Sequence, residues 1–228
     1  VCFVVVEPDE ERTTVLNEPG PPVTEAEVGR LLEDIRGDVG ADDLLLISGS
    51  LPDSVPASVV AEILQIGHEA GARTVVDIHS EALRVAFASR PWMLKCNRHE
   101  LLELLGVPDP DMAMRPTELA DEMQRIRDHG IEIVVVTMGP EGALLADSDG
   151  VVHAMPPAIT EVNPTGSGDL FLAGLTVGIE DGQAPREAIA LGIACGTAGA
   201  THLPPELPPD FEREAWLPRV TTELVAGS

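Results

Sequence analysis

The chain has 228 residues, and 39 acidic against 14 basic side chains leave a net charge of −25. With a pI near 4.3, nucleic acid and anionic membrane surfaces are excluded as partners by repulsion. At 44% hydrophobic residues and a mean hydropathy of +0.11, disorder is excluded too, because it needs low hydrophobicity as well as charge. The length suits one or two domains. Cys2, Cys96 and Cys195 are too scattered for a metal or redox spacing and fit a reducing cytoplasm. No apolar run reaches transmembrane length, and no signal peptide is expected ahead of the opening Val1–Val6 run. That run starts without Met, so the chain is expected to be cut from something longer. Lys95 is the one lysine among the 14 basic residues. An acidic, lysine-poor surface suggests a high-salt cytoplasm, where screening removes self-repulsion.

Val1–Val6 reads as a strand, and Asn17–Pro22 as a turn-rich stretch. Thr24 and Glu27 form a capping-box pattern ahead of Val28, Leu31, Leu32 and Ile35 at helical spacing. Leu44–Ile47 predicts a buried strand feeding the polar loop Ser48–Pro52. Val59–Ile66 is helical and stops at Gly71. Strands follow at 74–77 and 92–95, and helices at 80–88, at 97–105 closed by Gly106, and at 118–129 closed by Gly130. Ile131–Thr137 carries the strongest strand pattern. Asp147–Gly150 is a hairpin signal between strands at 142–146 and 151–155. Helices run from Gly166 to Ile179 and from Pro185 to Ala200, and the tail from Pro204 to Ser228 is proline-rich, then weakly helical. Alternating strands and helices mean a parallel sheet, with ligands beyond the carboxyl ends of its strands. The loops at Ser48, Asp77, Lys95 and Thr137 should share that edge.

Four constellations can carry chemistry. In Asn163–Phe171 the glycines of Gly166-Ser167-Gly168 let amides converge at a helix start, a site for a phosphate or developing anion. Asp169, in the first turn, is placed to accept a proton from an attacking hydroxyl, or merely to complement the helix dipole. The Walker A lysine and the third small residue of a dinucleotide fingerprint are both missing. In Lys95–Glu100, Asn97 and Glu100 make either a capping box or a water-mediated Mg²⁺ anchor, beside Lys95 as a point charge for a phosphoryl group. Thr137–Gly142 is either a plain tight turn or a glycine turn open to a phosphate or ribose. Ser48, Gly49 and Ser50 are either an ordinary loop or hydrogen-bonding groups for a sugar or its phosphate. The six histidines show no metal-ligand spacing and read as surface or satisfied polar groups.

In this order the motifs resemble the pfkB-type carbohydrate kinases of the ribokinase superfamily. Gly166–Asp169 is similar to the second family signature, Asn97–Glu100 to its NxxE motif and Thr137–Gly142 to its T-x-G-x-x-G turn. Asn17–Pro21, Ser48–Pro52, Glu81–Leu83 and Asn163–Asp169 resemble the hexose-phosphate branch, which holds 1-phosphofructokinase, tagatose-6-phosphate kinase and a minor 6-phosphofructokinase. The likeness runs from about residue 13 to 200. It departs at Cys96 for a usual proline, at His79-Ser80 for a usual Ser-Gly, and in an opening sugar-binding segment and lid strands without counterpart.

The resemblance implies an α/β fold, a three-layer α/β/α sandwich around a mostly parallel sheet, with the N-terminal part and lid incomplete. Residues 1–228 would be a single kinase domain. It implies Asp169 as catalytic base, the amides of Gly166, Ser167 and Gly168 as anion hole, and Lys95 near the γ-phosphate. Asn97 and Glu100 would hold Mg²⁺ through water, Thr137, Gly139 and Gly142 the nucleotide, and Ser48, Gly49 and Ser50 the sugar phosphate. The adenine pocket is expected near 185–200. The implied reaction is ATP-dependent phosphorylation of fructose 1-phosphate, with tagatose 6-phosphate or fructose 6-phosphate as alternative acceptors. A homodimer of the whole protein is a further implication, and a catalytically incompetent nucleotide-binding fragment is the competing reading.

Overall fold

A computed structural model describes residues 2–7, 12–18, 20–107, 109 and 114–226. Val1, Pro19, Gly227 and Ser228 fall outside them, and with them one end of the expected first strand, part of the 17–22 turn and the end of the tail. The chain forms two compact units, residues 19–136 and residues 1–18 with 137–228.

The 19–136 unit is built from α1 (Glu25–Asp38), β3 (Leu44–Gly49), α2 (Ser58–Ala70), β4 (Arg73–Ile78), α3 (Ser80–Ser89), β5 (Met93–Asn97), α4 (Arg98–Leu104), α5 (Pro116–Arg127) and β6 (Ile133–Thr137). The strands lie in the order β3-β4-β5-β6, with β3 parallel to β4 and β4 to β5, as the alternating pattern predicts. Apolar side chains of α2, α4 and α5 (Leu64, Leu101, Leu119, Met123) and of the strands (Val75, Val76, Leu94, Val134) are fully buried. Both capping-box hydrogen bonds predicted at Thr24 form. Gly71 ends α2 at φ +77, a left-handed cap open to glycine without Cβ strain.

One expectation fails in this unit. Leu44–Ile47 is only half-buried, and Leu46 is 40% exposed. The strand is the outermost of its sheet, and α1 buries no residue among those described. An apolar run thus marks a strand without saying whether both its faces are covered.

The second unit holds β1 (Cys2–Glu7) and β2 (Arg12–Asn17), then β7 (Ala143–Asp147), β8 (Gly150–Met155), α6 (Ser167–Glu180), α7 (Pro185–Ala200), α8 (Arg213–Trp216) and β9 (Thr221–Ala226). β1 and β2 form an antiparallel pair in register from Cys2↔Asn17 to Glu7↔Arg12. β7, β8 and β9 form an antiparallel series. The expected weak helicity of the tail is confined to α8 and the 3-10 turn Leu217–Arg219 that follows it. The end of the tail is a strand, because the ladder with β8 supplies hydrogen bonds that a six-residue segment cannot make alone.

Glycines set the α6–α7 contact. A Cβ at Gly174 would lie 2.7 Å from the carbonyl oxygen of Leu191, and one at Gly192 2.9 Å from that of Phe171. At Gly196 it would lie 2.9 Å from the Ser167 carbonyl oxygen. The backbones approach so closely that side chains at these positions have no room. α7 thereby lies against the first turns of α6, where the anion motif sits. Arg186, in the first turn of α7, adds a two-point ion pair to Asp147 at the end of β7, with Nε donating to Oδ2 at 2.9 Å. That carboxylate holds the guanidinium proton more tightly than usual.

Candidate active site

In the unit of residues 1–18 and 137–228, the sequence-predicted anion motif caps α6. Asn163 is 3% exposed and organises the approach to it. Its Nδ2 donates to the Leu203 carbonyl at 2.8 Å, and its Oδ1 accepts from the Thr165 amide at 3.1 Å. Gly166 follows at φ +79 as the N-cap, where a Cβ would meet Pro205 at 2.8 Å. No side chain caps the helix; the Ser167 amide donates to the Pro164 carbonyl at 3.1 Å, and the amides of Gly168 and Asp169 in the first turn have no intrahelical acceptor. Asp169, in the first turn, is exposed. The Oγ of Ser167 is buried and has no hydrogen-bond partner. A buried hydroxyl without a partner at a helix N-terminus has the chemistry to donate a hydrogen bond to an anion.

Ser167 and its neighbour Gly168 line a cavity of about 610 Å³, whereas Gly166 and Asp169 are not among its lining residues. Thr137, Gly139, Pro140 and Gly142 line it on one side, and Ser167, Gly168 and Phe171 of α6 on another. Pro156, Pro157 and Ile159 from the segment after β8, with Ile193, Gly196 and Thr197 of α7, form apolar walls with one hydroxyl. Gly139 has φ +57, and Gly142 has φ +90 with a hypothetical Cβ only 2.1 Å from the Ala154 carbonyl oxygen. Both glycines are thus required by conformation, the second also by contact. The structure brings Thr137, Gly139, Gly142, Ser167 and Gly168 together around one cavity. The expected adenine region in 185–200 supplies one of its walls.

The other predicted residues lie in the 19–136 unit. Parallel register sets Ser48 opposite Asp77 and Asp77 opposite Lys95, one row across the carboxyl ends of β3, β4 and β5. Lys95 is 4% exposed, and its Nζ lies 2.5 Å from Asp77 Oδ2. Asp77 was singled out from sequence only as a loop start. The signal that finds it is an acid at the same strand-end register as the lone lysine, which needs the pairing first. Beside them Cys96 is fully buried, which pushes its thiol well above the ordinary range and makes it inert.

Asn97 and Glu100 form the capping box of α4, with Glu100 N–H to Asn97 Oδ1 at 2.9 Å and Asn97 N–H to Glu100 Oε2 at 2.8 Å. No group of three or more His, Cys, Asp or Glu able to hold a metal occurs among the described residues. One carboxylate and one amide fit a Mg²⁺ that keeps its water shell and leans on phosphate oxygens. They do not fit an all-protein cage.

Comparison with known proteins gives this geometry its lineage. The chain is 32% identical over 187 residues to a 1-phosphofructokinase of Bacillus subtilis, covering 82% of this chain and 60% of that protein. A 1-phosphofructokinase of Haemophilus influenzae is 33% identical over 153 residues, 67% of this chain and 48% of its own length. The chain thus spans less than two thirds of either relative. The crystal structure of phosphofructokinase-2 from Escherichia coli in complex with potassium superposes with a TM-score of 0.81 at 26% identity, over 90% of this chain and 66% of that one. This agrees with the ribokinase-like α/β fold that the motif order implied. A model for the pfkB family of carbohydrate kinases matches residues 1–204, beyond the 13–200 span of the motifs at both ends. The chain belongs to the pfkB family of carbohydrate kinases.

Proposed function

We propose that the chain supplies the nucleotide-binding and catalytic-base part of an ATP-dependent sugar-phosphate kinase, within one kinase domain over residues 1–228. The buried, unpartnered Ser167 hydroxyl at the start of α6, next to Gly168 on the cavity wall, carries this reading. ATP would lie in the cavity with adenine against Ile193 and Pro157, and its phosphates toward Ser167 and Gly168 and the Gly166 turn before them. A sugar hydroxyl attacks the γ-phosphorus, Asp169 takes its proton, the bond to the β-phosphate oxygen breaks, and ADP leaves. The amides and the Ser167 hydroxyl meet charge on the migrating phosphoryl group, so the chain contributes positioning and electrostatics rather than a covalent intermediate. Asn97 and Glu100 would hold Mg²⁺ through water, and the ion would neutralise phosphate charge. Lys95 is proposed as a charge for the phosphoryl group, and Ser48, Gly49 and Ser50 as contacts for the sugar phosphate, roles that substitution tests.

The acceptor we favour is fructose 1-phosphate, giving fructose 1,6-bisphosphate. Two relatives carrying the name 1-phosphofructokinase support it. Calorimetry with ATP·Mg²⁺ tests the core of the reading. Micromolar to millimolar binding is expected, and absence of heat overturns it. Asp169→Asn in the whole enzyme is expected to lower turnover about 10²- to 10⁴-fold while leaving ATP affinity unchanged. Near-normal turnover removes Asp169 as base. Because the chain spans 60% of the Bacillus relative, a binding fragment without transfer activity is the second reading. Heat with ATP·Mg²⁺ and none with fructose 1-phosphate would favour it. For assembly we propose a homodimer of the whole protein, tested by light scattering.

A further inference from the structure

Thr137, Gly139, Pro140 and Gly142 line the cavity, and at the two glycines only backbone can face it. Gly142 N–H donates to the Gly139 carbonyl at 2.9 Å, Met138 N–H to the Gly142 carbonyl at 2.8 Å, and Glu141 N–H to the Met138 carbonyl at 3.2 Å. The carbonyl of Glu141 is bonded outside this set. It meets His153, the central residue of β8, whose Nε2 lies 2.7 Å from that oxygen. His153 is 7% exposed. Its other nitrogen, Nδ1, faces Glu223 Oε1 of β9 at 3.8 Å. A carbonyl only accepts, so Nε2 must carry the hydrogen. The next residue of the same strand, Ala154, offers the carbonyl oxygen that leaves no room for a Cβ at Gly142. β8 therefore grips the turn twice, by backbone contact at 154 and by the imidazole at 153.

We infer that His153 is a positioning residue for the nucleotide: through the Glu141 carbonyl it fixes the Gly139–Gly142 backbone that faces the cavity, and so sets ATP affinity without touching ATP. The inference rests on the nucleotide-binding reading above. A buried histidine serving only the β7–β8–β9 ladder would affect melting temperature alike with and without ligand. A positioning histidine affects affinity, and is replaceable by a side chain that donates from the same reach.

The test is calorimetry with ATP·Mg²⁺ on the unsubstituted chain and on His153→Leu, His153→Gln and His153→Asn. His153→Leu is expected to bind about tenfold more weakly, the scale of one lost net hydrogen bond. His153→Gln, whose amide N–H₂ reaches about as far as Nε2, should restore most of the affinity, and the shorter His153→Asn should not. Equal affinity in His153→Leu and the unsubstituted chain overturns this inference alone, and no binding by the unsubstituted chain overturns the nucleotide reading and this inference together. Should His153→Leu fail to fold, the Gln–Asn pair decides, equal affinity of the two overturning it. ¹⁵N spectra of labelled histidine give a readout independent of ATP. Nε2 of His153 is expected to be protonated, and a neutral ring protonated at Nδ1 instead overturns the inference.

Discussion

Ser80, the first residue of α3, sits at φ +61, in the left-handed region that L side chains other than Asn and Asp rarely adopt. It is held there by the hydrogen bond of 3.0 Å between its Oγ and His79 Nδ1. The left-handed conformation costs a non-glycine residue about 1–2 kcal/mol, whereas glycine's extra freedom in the unfolded chain costs about 0.5–1 kcal/mol. Ser80→Gly should therefore stabilise the fold by up to about 1 kcal/mol, read as a higher urea midpoint at unchanged slope. A lower midpoint would mean that the His79 contact outweighs the strain. The family resemblance flagged this position as a Ser where Gly is usual, and the backbone supplies the reason. Asn97 and Glu100 were equally legible, because a capping box is a three-residue spacing. The Asp77–Lys95 pair was not, since 18 residues separate its members and only β4–β5 register joins them.

The α6–α7 pair behaves as one element, fused by glycine at the crossing. Gly174→Ala would place a methyl 2.7 Å from the Leu191 carbonyl oxygen and 2.8 Å from Cys195 Sγ. The helices must part by a fraction of an ångström to admit it, and overpacking of this kind costs about 1–3 kcal/mol. At this chain length each kcal/mol corresponds to roughly 2–4 °C, so scanning calorimetry should show a fall of several degrees. Ile193, Gly196 and Thr197 on the moved helix also wall the cavity, so ATP affinity should fall too. An unchanged melting temperature would show that the crossing tolerates the methyl. Both helices were legible from period and punctuation, from Gly166 and Pro185 onward. Their closeness was not, because a glycine inside a helix reads only as a weak helix former until its neighbour is known. β9 escaped for a related reason. Thr221–Ala226 follows a proline-rich stretch, and Leu224 on it is 70% exposed, so no apolar alternation announces a strand that pairing with β8 creates.

At the scale of the whole chain the dominating quantity is charge. With 39 acidic and 14 basic side chains, at least 25 carboxylates have no cationic side chain to pair with. Several arginines are already committed, Arg115 to Glu118, Arg125 to Glu122, Arg186 to Asp147 and Arg213 to Asp181. The remaining repulsion reaches about 10 Å at 0.1 M salt and about 3 Å at 1 M. The melting temperature should accordingly rise between 0.1 and 2 M KCl. A flat profile would mean that the acidic bias has no bearing on stability. Unlike the fold, this property could be read from composition directly, because long-range repulsion depends on the sum of charges more than on their placement. The buried Lys95–Asp77 pair has a consequence of a different kind. The molecule's sole ε-amine is 4% exposed and ion-paired to Asp77, so acylating dyes and cross-linkers should label it slowly while the protein stays folded. Covalent tagging at position 95 would then serve as a native clock for unfolding, needing no engineered probe.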